Sequence, residues 1–414
     1  MGGRFTAKSL PFYYGWVIFA VTFLIYAFTY GLRYSVGVFF TPIQKEFGWT
    51  TAMTASAVTV FFWVYAFSAP LVGNLAERIG VRRTVLIGGL LLGGGGALVS
   101  FVQELWHLYL FWGVIAAMGA AALYVIPTTI LSRFFRRKRG RAVGWSSVGV
   151  SVGQATIIPM VAACISEWGW RPAMRALGLV VVAVTSVIGY VFLREDPESM
   201  GLNVDGEESD DSLGEEYPAS HEVDWEPGEA MRTRSFRLVT LSYFFAIGGI
   251  ISILTFVVPH MIRMGIDPIQ ASGAFGVIGV MSAVGSFLFG IVSDRLGRRL
   301  TIFATTGGIA ISFFTASILP PNLTLLYAWA ALYGLTYGGA PEQYAAISTD
   351  YFGRRNSTTL FGFLTLGGGL GGGLFPLLGG WLVDVTGSYF ATLLFLGCGM
   401  LVATFTILLA GPPE

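Results

Sequence analysis

Charge is scarce in this chain. Asp, Glu, Lys and Arg make up 12% of its 414 residues, about half the roughly 25% of a soluble globular domain. That excludes a soluble surface of the matching size, although length alone suggests two or three soluble domains. Cysteine is nearly absent. Cys164 and Cys398 both lie inside apolar runs, so neither a disulfide framework nor a thiolate metal site is expected. The three histidines, His107, His221 and His260, show no ligand spacing, and no metal is expected. No phosphate-cradling Walker loop occurs, which argues against ATP-driven work. The apolar runs hold no catalytic pair, so no enzyme and no cofactor is expected. A net charge of +1 gives no basic footprint for a nucleic-acid partner. The N-terminus is short and basic, but the run after it is too long for the core of a cleavable signal.

Apolar residues are plentiful instead, at 54% of the chain with a mean hydropathy of +0.68. They come in runs of about 20, the length that crosses a bilayer as helix. The 55 glycines suit helices whose backbones approach closely. Spans are expected at Trp16–Phe40, Ala52–Asn74, Thr84–Val102, Leu108–Leu131, Ala142–Ser166 and Ala173–Leu193. A second set is expected at Phe236–Pro259, Ser272–Ser293, Leu300–Leu319, Leu325–Ile347, Thr358–Leu382 and Tyr389–Ala410. The fold class is therefore all-α integral membrane, with twelve transmembrane helices in two six-helix pseudo-symmetric bundles. Residues 1–193 form one bundle and 236–414 the other. The segment 194–235 holds 14 of the 24 acidic residues and reads as a cytoplasmic, solvated linker.

Basic residues fix the expected orientation. If the N-terminus is cytoplasmic, 20 of the 25 lysines and arginines fall on the cytoplasmic side. Only Lys45, Arg171, Arg175 and Arg263 fall outside, and Arg33 lies within the first span. A multi-pass protein of the cell membrane with both termini inside is expected.

The two halves repeat. Gly73-Asn-Leu-Ala-Glu77-Arg78-Ile-Gly80-Val-Arg82-Arg83 recurs 217 residues later as Gly290-Ile-Val-Ser-Asp294-Arg295-Leu-Gly297-Arg298-Arg299. Pro159 and Pro376 share that offset, while Gly144 and Gly362, and Gly169 and Gly387, differ by 218. Gly73 and Gly290 should permit close helix approach, and Gly80 and Gly297 a tight turn. Glu77 and Asp294 should pair with the nearby arginines or cap a helix.

This repeated loop resembles the signature loop of the major facilitator superfamily, best in the copy from Gly290 to Arg299. The resemblance implies a transporter in which the loop latches the outward-facing state. Gly31-Leu-Arg33-Tyr34-Ser35-Val-Gly37-Val-Phe39-Phe40 is similar to the first helix of monocarboxylate transporters. Pro127 through Phe134-Phe135-Arg136-Arg137-Lys138-Arg139 to Gly144 resembles their connection between the fourth and fifth helices. Oxalate–formate exchanger-like relatives share the style. Two departures stand out. The family's acidic residue before the first helix is missing from Tyr13-Tyr14-Gly15-Trp16, and Ser286 occupies the place of its eighth-helix arginine.

Arg33 is the chief candidate for substrate binding. It lies five residues past the centre of its run, roughly 7–8 Å from the midplane at 1.5 Å per residue. An arginine at such depth costs about 2.5–3.5 kcal/mol on insertion scales and normally faces a cavity. Tyr26, Tyr30, Arg33 and Gly37 share one helical face, with Tyr34 beside it. A guanidinium among aromatic walls suits a carboxylate, whose two oxygens match its fork. The structural alternative is an arginine that snorkels to the interface. Tyr124, Tyr333 and Tyr337 complete the expected site, and Gln154 serves either the solute or interhelical hydrogen bonding. Glu342, the clear carboxylate within a span, is the candidate proton-coupling group. The glycine run Gly367–Gly373 with Pro376, echoed by Gly149, Gly153 and Pro159, suits bending, close-packed helices.

The expected function is secondary transport of a small organic anion by alternating access, with protons a possible coupling ion. The expected partners are the solute and the lipid bilayer, and a monomer suffices. Two alternatives stay open. The missing eighth-helix arginine favours efflux of an amphipathic compound, and a sensor that binds without translocating would need an output domain.

Overall fold

Each apolar run becomes a helix because a helix satisfies its own backbone where no water is available. The computed structural model describes residues 12–135, 139–197, 200–203, 225–353 and 357–413. Eleven helices among the described residues are long and apolar enough to cross a membrane, and a twelfth span, the tenth in order, is broken in two. The first six are α1 (Gly15–Phe47), α2 (Thr51–Ile79), α3 (Val81–Val99), α4 (105–134), α5 (139–168) and α6 (Trp170–Phe192). The second six are α7 (Arg234–Arg263), α8 (Pro268–Leu296), α9 (Arg298–Ile318), α10 (323–352), α11 (Ser357–Thr386) and α12 (Tyr389–Leu409). All twelve expected spans are present, but two have different shapes. α1 continues past Phe40 to Phe47 because its tail is amphipathic: Phe39, Phe40 and Ile43 are buried while Lys45 and Glu46 face outward. α10 is two helices, Leu323–Gly338 and Pro341–Phe352. Pro341 lacks an N–H and its ring crowds the carbonyl four residues back, so it starts a new helix instead of continuing the old one.

The repeat seen in the sequence is a repeat of contacts. In each half the first helix packs on the fifth, the second on the fourth and the third on the sixth. A Cβ on Gly153 would strike the Ala27 carbonyl, and one on Gly371 the Phe244 carbonyl; Ala27 and Phe244 are 217 residues apart. Gly80 has φ 86° and ψ 152° between α2 and α3, and Gly297 has φ 84° and ψ 156° between α8 and α9. That region of backbone space belongs essentially to glycine.

The described chain ends and the described residues that flank the connection between halves lie on one face, where Tyr14 donates to the Phe192 carbonyl and Ser235 to that of Gly411; this is the terminal face here, and the opposite one is the distal face. Most of the acidic segment, 204–224, lies outside the described residues. Its end is structured: the Trp225 N–H donates to the Phe352 carbonyl at 3.2 Å, and Pro227–Ala230 forms one helical turn before α7.

The bundles meet along α2–α11, α5–α8 and α1–α7. On the distal half these seams are tight. Gly369, Gly372, Gly373 and Gly380 of α11 abut Ala66, Phe62, Trp63 and the Thr51–Ala52 backbone of α2. Gly276 and Gly279 of α8 abut the Gln154–Ala155 stretch of α5. Towards the terminal face, a Cβ on Gly290 or Gly362 would meet nothing within 4 Å. The expectation of close helix approach at Gly290 is therefore corrected, because α8 faces open space there.

Candidate functional site

Between the bundles, at mid-depth, lies a cavity of about 140 Å³. Tyr30, Arg33 and Tyr34 of α1, Phe62 and Tyr65 of α2, and Tyr124 of α4 form one wall. Tyr243 and Ile247 of α7, Tyr337 and Pro341 of α10, and Thr365, Gly368 and Gly369 of α11 are on the other. Arg33 is the cationic side chain in this wall and is only 7% exposed. α1 runs from Gly15 to Phe47, so Arg33 is two residues from its middle, roughly 3 Å at 1.5 Å per residue. Its burial in the cavity wall excludes snorkelling to the interface.

Its charge is held by rings. The guanidinium carbon lies 4.5 Å from the Tyr65 centroid, 4.6 Å from Phe62, 5.3 Å from Tyr30, 5.6 Å from Phe61 and 5.7 Å from Tyr34. Cation–π contacts are worth about 0.5–2 kcal/mol each, more when desolvated. Tyr65 is the nearest of the five rings. The Arg33 Nε is buried and has no partner, and no carboxylate of the described residues lies within 4.0 Å of Arg33. The site therefore presents a buried cation with spare hydrogen-bonding capacity and no protein counter-ion.

The distal side of the cavity is closed by polar contacts between bundles. Gln154 donates through Nε2 to the Tyr337 hydroxyl at 3.3 Å, and Ser151 and Ser282 pair at 2.9 Å. The Oε1 of Gln154 is buried without a partner.

The expected site residues divide into two layers. Arg33, Tyr30, Tyr34, Tyr124 and Tyr337 line the cavity. Tyr26 stands behind them, edge-on to Tyr30 at 6.4 Å and tilted against Tyr124 at 6.3 Å. Tyr333 is fully buried, stacked between Trp329 and Tyr337, and its hydroxyl has no hydrogen-bond partner. Neither lines the cavity: each sits one turn before a wall residue, in the packing behind it. Tyr65, Phe62, Tyr243 and Thr365 were missed. Tyr65 and Tyr243 carried one signal, a hydroxyl inside an apolar run.

Glu342 lies at the start of the second α10 helix, exposed. Ser286 donates to the Gly338 carbonyl at 2.6 Å. So the α8 position where the family resemblance puts an arginine carries a hydroxyl that ties α8 to α10.

The signature loops stay within their own bundles. Arg82 donates to the Leu193 carbonyl at 2.8 Å and the Val191 carbonyl at 3.2 Å, covering the end of α6. Arg298 pairs with Asp294 at 3.1 Å and Asp350 at 3.6 Å, and donates to Ser293 at 2.6 Å. Arg299 hydrogen-bonds Tyr351, while Arg78, Arg83 and Arg295 are exposed. The side chains of Gly73 and Glu77 lie outside the described residues, as do Arg136 to Lys138.

Twelve membrane helices in two repeated bundles around an enclosed aromatic and cationic cavity make this a secondary transporter and not an enzyme. The chain belongs to the Major Facilitator Superfamily, whose sequence profile matches residues 22–314 and 264–414. Among curated proteins it is similar to several named monocarboxylate transporters. Monocarboxylate transporter 12 of Rattus norvegicus is 25% identical over 413 residues, 96% of this chain and 85% of the relative. Monocarboxylate transporter 13 of Bos taurus is 26% identical over 399 residues, with coverages of 94% and 88%. The solved structure of a bacterial homologue of the human lysosomal transporter Spinster, inward-facing and unoccupied, superposes with a TM-score of 0.75. It is 18% identical and 97% of each chain is covered, a likeness of fold.

Proposed function

We propose that this protein carries a small organic anion, a carboxylate, across the cell membrane by alternating access, with Arg33 as the anchor for the anionic group. The observation that carries this reading is the buried Arg33 guanidinium in the central cavity, with a free Nε and no acidic partner. An arginine kept at the middle of a membrane without a counter-ion is costly, and a carboxylate supplies both the charge and the bidentate geometry it lacks. The relatives named as monocarboxylate transporters support the same class. The tight distal seams and the open terminal ends of α8 and α11 correspond to one end state of the cycle.

In this reading Glu342 is the proton-coupling group, because it is the carboxylate closest along α10 to the cavity wall at Tyr337 and Pro341. The excess of lysine and arginine places the termini and the connection 194–235 in the cytoplasm. The signature loops act as the terminal-face latch when the opposite end state forms. A second reading, efflux of an amphipathic compound, is favoured by one feature: apart from Arg33 the cavity wall is aromatic and aliphatic, and Ser286 provides no second cation.

The deciding experiment is uptake into proteoliposomes across a series of small carboxylates and their neutral amides, with and without a pH gradient. Saturable uptake of carboxylates and not amides is expected. Uptake of neutral amphipaths with no carboxylate preference would favour the second reading.

A further inference from the structure

At the distal end of the α2–α11 seam a carboxylate crosses between the bundles. Asp384, in the last turn of α11, accepts the backbone N–H of Thr51 with one oxygen and that of Ala52 with the other, both at 2.7 Å. These are the first N–H groups of α2 and have no acceptor within their own helix. The residue before them, Thr50, caps α2 only through Met53, at 3.2 Å.

The corresponding helix of the second half is capped differently. Asp267, 217 residues after Thr50, starts α8 with its own carboxylate, 2.9 Å from the Ile269 nitrogen and 3.3 Å from that of Gln270. Glu167 stands 217 residues before Asp384, at the end of α5. The acid at the helix end is thus repeated, but the vacant helix start is not: α8 brings its own carboxylate, whereas α2 takes one from the opposite bundle. The α5–α8 seam closes through neutral groups, Ser151 with Ser282 and the glycines of α8.

We propose that Asp384 is the latch of the distal gate. Its carboxylate on the start of α2 holds the cavity shut towards the distal face, and it leaves Thr51 and Ala52 when the cavity opens there. The favourable term is that of an anion at a helix N-terminus, where charge and unpaired donors coincide. Asp384 is exposed, so water competes for the same donors and the latch is reversible. The proposal rests on the alternating-access reading and assigns one charged control point to it.

The test is a spin-label distance between Met53 on α2 and Val385 on α11, both exposed, in lipid nanodiscs. Cys164→Ala and Cys398→Ala remove the native thiols. Asp384→Asn is expected to raise the ratio of long to short distances roughly fivefold, the scale of an exposed charge at a helix terminus. Thr50→Asp, which gives α2 the kind of cap that α8 has, is expected to raise it as well by displacing Asp384. If Asp384→Asn alone folds poorly, the double variant with Thr50→Asp restores a capped α2 and should still show the long distances. An unchanged ratio in all three, where the unsubstituted protein samples both distances, overturns the latch and leaves alternating access standing. A single distance in every variant, with or without a bound carboxylate, overturns alternating access and the latch with it.

Discussion

The guanidinium of Arg33 lies 4.5 Å from the centre of the Tyr65 ring, the nearest of the five rings around it. The two side chains come from neighbouring helices of one bundle, so the cation is positioned before any solute arrives. Orientation fixed in advance reduces the ordering cost of binding.

Arg33→Gln tests the anchor. It removes a charge that was costly to place in the membrane, so the fold should persist. Carboxylate binding should weaken by roughly 1.5–3 kcal/mol, the scale of a hydrogen bond to a charged group, or about 10- to 150-fold. Arg33→Lys should recover part of this, since the charge survives and the fork does not. Equal carboxylate affinity in Arg33→Gln and the unsubstituted protein, measured by calorimetry in detergent, would make Arg33 structural.

Tyr65→Phe tests the positioning. The ring that faces the cation remains and only the hydroxyl is lost, so carboxylate affinity should change by less than about threefold, because the cation–ring contact survives. Tyr65→Leu, which also removes the ring, should cost more. An identical loss in both variants would mean that the hydroxyl alone matters.

Glu342→Gln separates coupling from binding. If its carboxylate carries the proton, the variant should still exchange labelled for unlabelled solute across proteoliposomes. It should lose the stimulation of uptake by an imposed pH gradient. Stimulation equal to that of the unsubstituted protein would move coupling to another group.

Gly297→Ala isolates backbone strain. A Cβ there meets nothing within 4 Å, while φ stays at 84°, so the cost is conformational and about 1–3 kcal/mol. The melting temperature in detergent should fall without any change in solute selectivity. Gly290→Ala, in open space on an ordinary helix, serves as the neutral comparison.

The acidic segment is predicted to be dispensable for folding of the bundles. Replacing residues 204–224 by a neutral flexible linker should leave a monodisperse protein in size-exclusion chromatography. The cut must stop before Trp225, whose N–H is bonded to the Phe352 carbonyl. An aggregated product would give the segment a structural role.

Much of the fold was legible because the bilayer imposes a length on every span, and because the repeat left matching glycines such as Gly80 and Gly297. Arg33 was legible for the same reason: a charge inside an apolar run is conspicuous. Its neighbours were not. α2 is apolar on every side around Tyr65, so no periodicity marks the face that meets α1. Tyr26 and Tyr333 share a helical face with Tyr30 and Tyr337, respectively, but periodicity reports the face and not how far along it the cavity reaches. Asp384 was invisible as a partner of Thr51 because 333 residues separate them and nothing local reports which helix ends meet.

The glycines of α11 also constrain how the distal seam separates. Thr59 donates to the Gly373 carbonyl at 2.7 Å, and Trp63 to that of Leu370 at 3.3 Å. Parting α2 from α11 breaks both bonds; Thr59 keeps the Ala55 carbonyl of its own helix at 3.4 Å, whereas the bond to Leu370 is the one that satisfies the Trp63 N–H. In hydrocarbon that stranded N–H would cost several kcal/mol. The seam must therefore fill with water as it parts, so wetting is a condition of opening and not its result. Lipid entering from the side would hold it closed.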